Sequence, residues 1–170
     1  LVISSSEATG RMSTMLFSDR SSATIRVSPA SGATSVMAFI AASIGVADLA
    51  PLPSLSERDW GAAEGQTWAE LTQRWPTLGV DSEQALNRIP GAEPLDLLKA
   101  RGRFALETTA VQHPNQTVLM VSHGTLMRSA LSPLLGYDIG EVPNAGVLVL
   151  KARLEGDRLH TELVARSFDE

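Results

Sequence analysis

Thr117 to Gly136 is the stretch that most narrows the folds open to this chain. Thr117-Val118-Leu119-Met120-Val121 is a continuous apolar run of strand length, the pattern of a strand covered on both faces. Ser122-His123-Gly124 interrupts it. Apolar residues then recur at Leu126, Met127, Ala130, Leu131, Leu134 and Leu135, one face of a helix that Gly136 ends. A strand that turns straight into a helix aims backbone N–H groups and the positive end of the helix dipole at the turn, which favours an anion. His123 stands in that turn, where its imidazole can donate to an oxyanion. The bland alternative is a structural histidine satisfied by local backbone. His113 and His160 lack such a context and read as surface residues.

The same alternation extends through the chain. Leu1-Val2-Ile3 and Thr24 to Ser28 read as short strands, the second stopped by Pro29. Ala33, Val36, Met37, Ile40, Ala41 and Ile44 fall on one face of a helix that Gly45 ends. Pro51, Pro53 and the polar run Ser54 to Trp60 predict a long loop, followed by a short helix from Thr67 to about Trp75. Pro94 opens a helix running to about Gln112, with Leu97, Ala100, Phe104, Thr108 and Val111 as its apolar side. Gly102 weakens that helix by about 1 kcal/mol relative to Ala. Gly146 to Arg153 and Arg158 to Arg166 predict two strands joined by a turn at Glu155-Gly156-Asp157. The implied architecture is a single α/β domain over residues 1–170, a three-layer α/β/α sandwich on a mostly parallel sheet. In such sheets ligands bind at the carboxyl ends of the strands. Ser4 to Ser6 and Ser122 to Gly124 both follow strands, so they are candidates for one shared pocket.

Composition excludes several functions. The net charge of -5, with no basic block, argues against nucleic acid and against an anionic membrane surface. Val36 to Ala50 is the most apolar stretch, but Ser43, Gly45 and Asp48 interrupt it and it falls short of the ~20 residues of a membrane span. No basic segment followed by an apolar one opens the chain, so no signal peptide is expected and the chain reads as a soluble cytoplasmic protein. Cysteine is absent, which removes disulfides and thiolate nucleophiles. Three scattered histidines make no metal-ligand spacing, so neither a metal nor another cofactor is expected. Trp60, Trp68 and Trp75 crowd the long loop and read as a satellite core in preference to a pocket wall.

Four stretches together resemble the histidine phosphatase superfamily, also described as phosphoglycerate mutase-like. Val118 to Leu131, VLMVSHGTLMRSAL, is similar to the family's second-histidine motif. Leu55 to Gly65, LSERDWGAAEG, resembles the mutase loop, which would make Glu57 the acid. Pro90 to Arg101, PGAEPLDLLKAR, resembles the family's Gly-Glu-Ser segment with an arginine eight residues after the glutamate. Ser28 to Gly45 resembles the Ser-Pro segment that opens the helix after the second strand. The four lie in the family's order.

The departures matter as much as the matches. The resemblance implies a first strand followed by Arg-His-Gly-Glu-Ala-Thr, whose histidine is the phosphorylated nucleophile. Here Leu1 to Arg11 reads LVISSSEATGR, and registering it on Glu7-Ala8-Thr9 puts Ser4, Ser5 and Ser6 at the arginine, histidine and glycine. The family's second clamp arginine falls at Gly32. Few residues separate Ser5 from Ser28, which implies a first helix that is short or absent. The expectation is therefore a degenerate relative that keeps His123 and Glu57 but lacks the nucleophile and both clamp arginines. Its turnover should be slower by roughly 10⁴ or more. A phosphate-like anion would be held by Ser4, Ser5, Ser6, Arg11 and Arg58 around His123, so the expected partner is a small phosphorylated or anionic ligand. Two alternatives stay open: a hydrolase using Ser5 with His123 and Glu57, and a non-catalytic homodimeric interaction module.

Overall fold

The computed structural model describes residues 2–4, 24–27, 49–76, 85–144 and 146–168. Six strands form one sheet in the order β3-β2-β4-β1-β5-β6. They are β1 (Val2–Ser4), β2 (Thr24–Val27), β3 (Leu49–Pro51), β4 (Thr117–Val121), β5 (Leu148–Glu155) and β6 (Arg158–Arg166). Among the described residues the α-helices are α1 (Trp68–Arg74), α2 (Leu95–Gln112) and α3 (Gly124–Leu135).

The sheet is mixed, with parallel pairings in the majority among the described strands. Three pairings are parallel, β2 with β3, β2 with β4 and β1 with β5. Two are antiparallel, β5 with β6 and β1 with β4. The first antiparallel pair follows from its turn, where Gly156 at φ +59 lets two residues reverse the chain. The second comes from β1, whose Val2 pairs Leu119 and whose Ser4 pairs Thr117. A three-residue strand makes ladder bonds in either direction, so its apolar pattern carries no direction. β3 carries no strand signal in the sequence because Pro51 reads as a stop. It lies at the sheet edge, where a proline breaks no ladder.

Alternate residues of β4 and β5 bury one face of the sheet. Val118, Met120, Leu148, Leu150 and Ala152 meet Leu98, Leu106, Leu126 and Leu131 of α2 and α3 in the main core. α3 uses the face read from its sequence, burying Leu126, Met127, Ala130 and Leu131, and Gly136 ends it in the left-handed region. α2 spans the expected residues but turns its other side inward. Leu95, Leu98, Gly102, Ala105, Leu106, Thr109 and Ala110 are buried, whereas Leu97, Phe104 and Val111 face solvent. The reason is close approach: a Cβ at Gly102 would lie 2.5 Å from Cβ of Ala130. Gly102 on the buried side lets α2 and α3 pack tightly, between Leu98 and Leu106 of the core.

The second helical layer of the expected sandwich, including the helix beginning at Ser31, and the expected short or absent first helix both fall outside the described residues. A smaller cluster of Ala63, Leu71, Ala85 and Ile89 seats α1, with Trp60 and Trp75 packed against it. Thr67 and Glu70 cap α1 reciprocally, and those hydrogen bonds hold the Glu70 carboxyl below the usual range. Among the described residues, no helix is long and apolar enough to cross a membrane.

Candidate active site

His123 is the N-cap residue of α3, with extended backbone at φ -112 and ψ 151, and its carbonyl accepts from Met127 N–H. Gly124 is required next to it, because a Cβ there would lie 2.8 Å from the Val142 carbonyl oxygen. The start of α3 therefore seats closely against the loop carrying Val142, and its first N–H groups have no partner further back within the helix. A groove of about 870 Å³ opens along this helix, walled by Trp60, Lys99, Thr125, Arg128 and Tyr137 among others.

Glu57 arrives from the long loop. Its Oε2 lies 3.6 Å from His123 Nδ1, beyond hydrogen-bond length but close enough for a protonated ring to form an ion pair. The other carboxylate oxygen accepts from Arg58 N–H at 2.7 Å. The two side chains are 29% and 34% exposed, so the pair is accessible to a ligand.

Three ties fix the loop. Ser122 Oγ donates to the Leu55 carbonyl at 2.8 Å, Leu55 itself being buried after the turn Pro53–Leu55. Arg101 makes a two-pronged ion pair with Glu93, at 2.9 and 2.8 Å. Its guanidinium also donates to the carbonyls of Ser54, Ser56 and Glu57. Glu93 N–H donates to the Asp59 carbonyl at 2.8 Å. Arg101 and Glu93 thus hold the stretch that presents Glu57 from both ends. The eight-residue spacing from Glu93 to Arg101 is visible in the sequence. The tie from Ser122 carries no local signal, since its partner lies 67 residues away.

Arg58, a candidate ligand-binding cation by its place in the sequence, is 1% exposed. Its Nε and Nη2 donate to the carbonyls of Glu93 and Leu86, and its guanidinium lies 5.0 Å from the Trp60 ring centre. Burial pulls its pKa below the ordinary arginine value, against the opposing charges of Glu93 and Glu57. It holds the loop in place from within.

Ser4 does not stand beside His123 along the sheet. Ser4 stands level with Thr117, at the amino end of β4, whereas His123 follows its carboxyl end. Six residues of extended chain separate those levels, about 20 Å. The pocket expected to join Ser4 to Ser122-Gly124 is therefore not formed by these strands. Ser5, Ser6, Arg11 and Gly32 lie outside the described residues. The other histidines stand elsewhere: His113 follows α2 with Nδ1 3.0 Å from Gln116 Oε1, and His160 on β6 lies 3.2 Å from Glu155.

The sequence model for the histidine phosphatase superfamily (branch 1) matches residues 9–162. The chain belongs to that superfamily. The match begins past the triple serine. Among superfamily relatives, the chain is 31% identical over 106 residues to a metal-independent phosphoserine phosphatase of Arabidopsis thaliana, covering 60% of this chain and 44% of that protein. It is 32% identical over 87 residues to an uncharacterized phosphatase, PhoE, of Bacillus subtilis (strain 168), covering 51% and 40%. The chain thus spans under half the length of these two relatives in the matched stretches. A mycobacterial glucosyl-3-phosphoglycerate phosphatase, solved with inorganic phosphate, superposes with a TM-score of 0.72 at 19% identity, covering 97% of this chain and 95% of that one. At that identity the likeness establishes the α/β fold of the histidine phosphatases.

Proposed function

We propose that this histidine phosphatase relative is catalytically impaired and holds a phosphate-like anion against His123 and the first turn of α3. One observation carries the reading. The chain has three histidines, and His113 and His160 are engaged away from the site, so His123 is its single imidazole. The resemblance drawn from the sequence implies two histidines in an active member, one accepting the phosphoryl group. A lone imidazole with Glu57 can bind an oxyanion and move a proton to a leaving group, but the covalent route through a second histidine is missing. The buried role of Arg58 removes one further cation from the ligand. That a related fold was solved with inorganic phosphate supports an anion as the ligand class.

Turnover of an aryl phosphate is expected to fall roughly 10⁴-fold or more below an active superfamily phosphatase assayed alongside. Titration with inorganic phosphate or vanadate should shift the His123 ring signals, and His123→Ala should abolish binding. Glu57→Gln removes a negative charge beside the bound anion and should tighten binding by roughly threefold or more. Turnover at the rate of the active phosphatase, or anion binding indifferent to His123→Ala, would sink the proposal.

A further inference from the structure

Resting on the anion reading above, we propose that Trp60 selects the organic part of the ligand. The anion held at His123 is then the phosphate of a monoester whose carbon side is a flat aromatic group lying on the Trp60 ring. Trp60 follows Glu57 by three residues in the long loop. It also lines the groove that starts at Gly124 and Thr125, the first turn of α3 directly after His123. The groove follows α3 from Gly124 to Gly136, about 18 Å of helix, so a group joined to a phosphate at that turn has room along it.

The walls beside Trp60 suit a ring better than a polyol. Leu86, Leu95 and Val142 line the same groove, and Val142 is the residue against which Gly124 seats. Apolar side chains leave a hydroxyl-rich group without partners for the water it gives up, whereas a flat apolar group gains by burial. The hydroxyls of Ser129 and Ser132 and the ion pair of Arg128 with Asp138 stand further along α3.

The Trp60 ring is also held in place before a ligand arrives. The residue is half-buried and packs against the cluster of Ala63, Leu71, Ala85 and Ile89. Its backbone N–H donates to Glu64 Oε1 at 2.9 Å. The Arg58 guanidinium lies 5.0 Å from the ring centre and is itself anchored on the carbonyls of Glu93 and Leu86. Arg58 is buried, so the groove meets the side of Trp60 turned away from it. A cation behind one face draws the π density towards itself, which disfavours a cationic ligand on the other side and favours the electron-rich face of an aryl group. A ring fixed in this way loses little freedom on binding.

Calorimetric titration with inorganic phosphate, glycerol 1-phosphate and phenyl phosphate tests the assignment. Phenyl phosphate is expected to bind about tenfold tighter than the other two, the worth of one aromatic contact. Trp60→Leu should level the affinities while leaving that of inorganic phosphate within about twofold, and Trp60→Phe should keep most of the preference. Trp75 packs against the same small cluster but does not line the groove, so Trp75→Phe should keep the preference in full. Nuclear Overhauser contacts between the phenyl protons and the Trp60 indole test the contact in the wild-type chain, without a substitution. Phenyl phosphate bound no tighter than inorganic phosphate, a preference that survives Trp60→Leu, or no such contacts at saturation would each overturn the assignment and leave the anion reading standing. A wild-type chain that binds none of the probes would overturn that reading and this assignment with it.

Discussion

The Ser122 hydroxyl donates to the Leu55 carbonyl at 2.8 Å, tying the residue before His123 to a residue two positions before Glu57. The imidazole and the carboxylate come from distant parts of the chain, and this bond is a direct strap between their backbones. Ser122→Ala should cost about 1 kcal/mol, the usual worth of one such bond, read from urea unfolding. It should also weaken phosphate binding about two- to threefold, because the spacing between His123 and Glu57 is no longer held. A variant with wild-type anion affinity would show that the loop keeps its place without Ser122.

Arg101 and Glu93 fasten the other side of the loop. Their side chains are 22% and 17% exposed, and the guanidinium satisfies three carbonyls besides the carboxylate. Glu93→Ala leaves a partly buried cation without its counter-charge and should destabilise by about 2 to 3 kcal/mol. Arg101→Met frees those carbonyls as well and should cost more. Chemical denaturation of both single variants and the double variant closes the cycle. A coupling energy indistinguishable from zero would mean that the two residues act separately.

The sequence was most legible where one segment decided its own structure. The strand of Thr117–Val121, the turn at His123 and the helix closed by Gly136 all follow from local pattern, as does the β5–β6 hairpin around Gly156. Legibility failed where a partner decides. α2 carries two apolar sides, and the fit of Gly102 against Ala130 selects the one that faces inward. The direction of β1 depends on its neighbours, so Ser4 could be placed at a strand end but not at the right end of the sheet. The approach of Glu57 to His123 is what the motifs lead one to expect. The buried role of Arg58 is not, because an arginine beside a catalytic-looking glutamate reads the same whether it faces the ligand or the core.

Gly102 gives a test of the helix contact. Alanine is the better helix former by about 1 kcal/mol, but its Cβ would stand 2.5 Å from Cβ of Ala130 and 3.1 Å from the Leu126 side chain. Overpacking of this kind costs about 1 to 3 kcal/mol, so Gly102→Ala should be net destabilising by about 1 kcal/mol. In an Ala130→Gly background the main clash is gone, and the same substitution should become neutral or stabilising. Thermal unfolding of the four proteins separates the two effects. A stabilised single variant would mean that α2 and α3 pack less closely than described.

Asp138 gives the clearest dependence on pH. Arg128 Nε and Nη2 donate to its two carboxylate oxygens at 3.0 and 2.6 Å, and Gly140 N–H donates to it at 2.9 Å. These bonds, the Arg128 side chain first, lower its pKa from 3.8 to about 2. A depressed carboxylate binds its proton more weakly when folded than when unfolded. Its stabilisation is therefore complete above the unfolded value of 3.8 and lost as pH falls through about 2. Both side chains are more than half exposed, so salt should screen the effect. A carbon-detected titration should place the Asp138 midpoint near 2 in the wild type. In Arg128→Ala it should move most of the way back towards the ordinary value, with the Gly140 bond retaining the remainder. A wild-type midpoint at the ordinary value would show that Arg128 does not hold this carboxylate in solution.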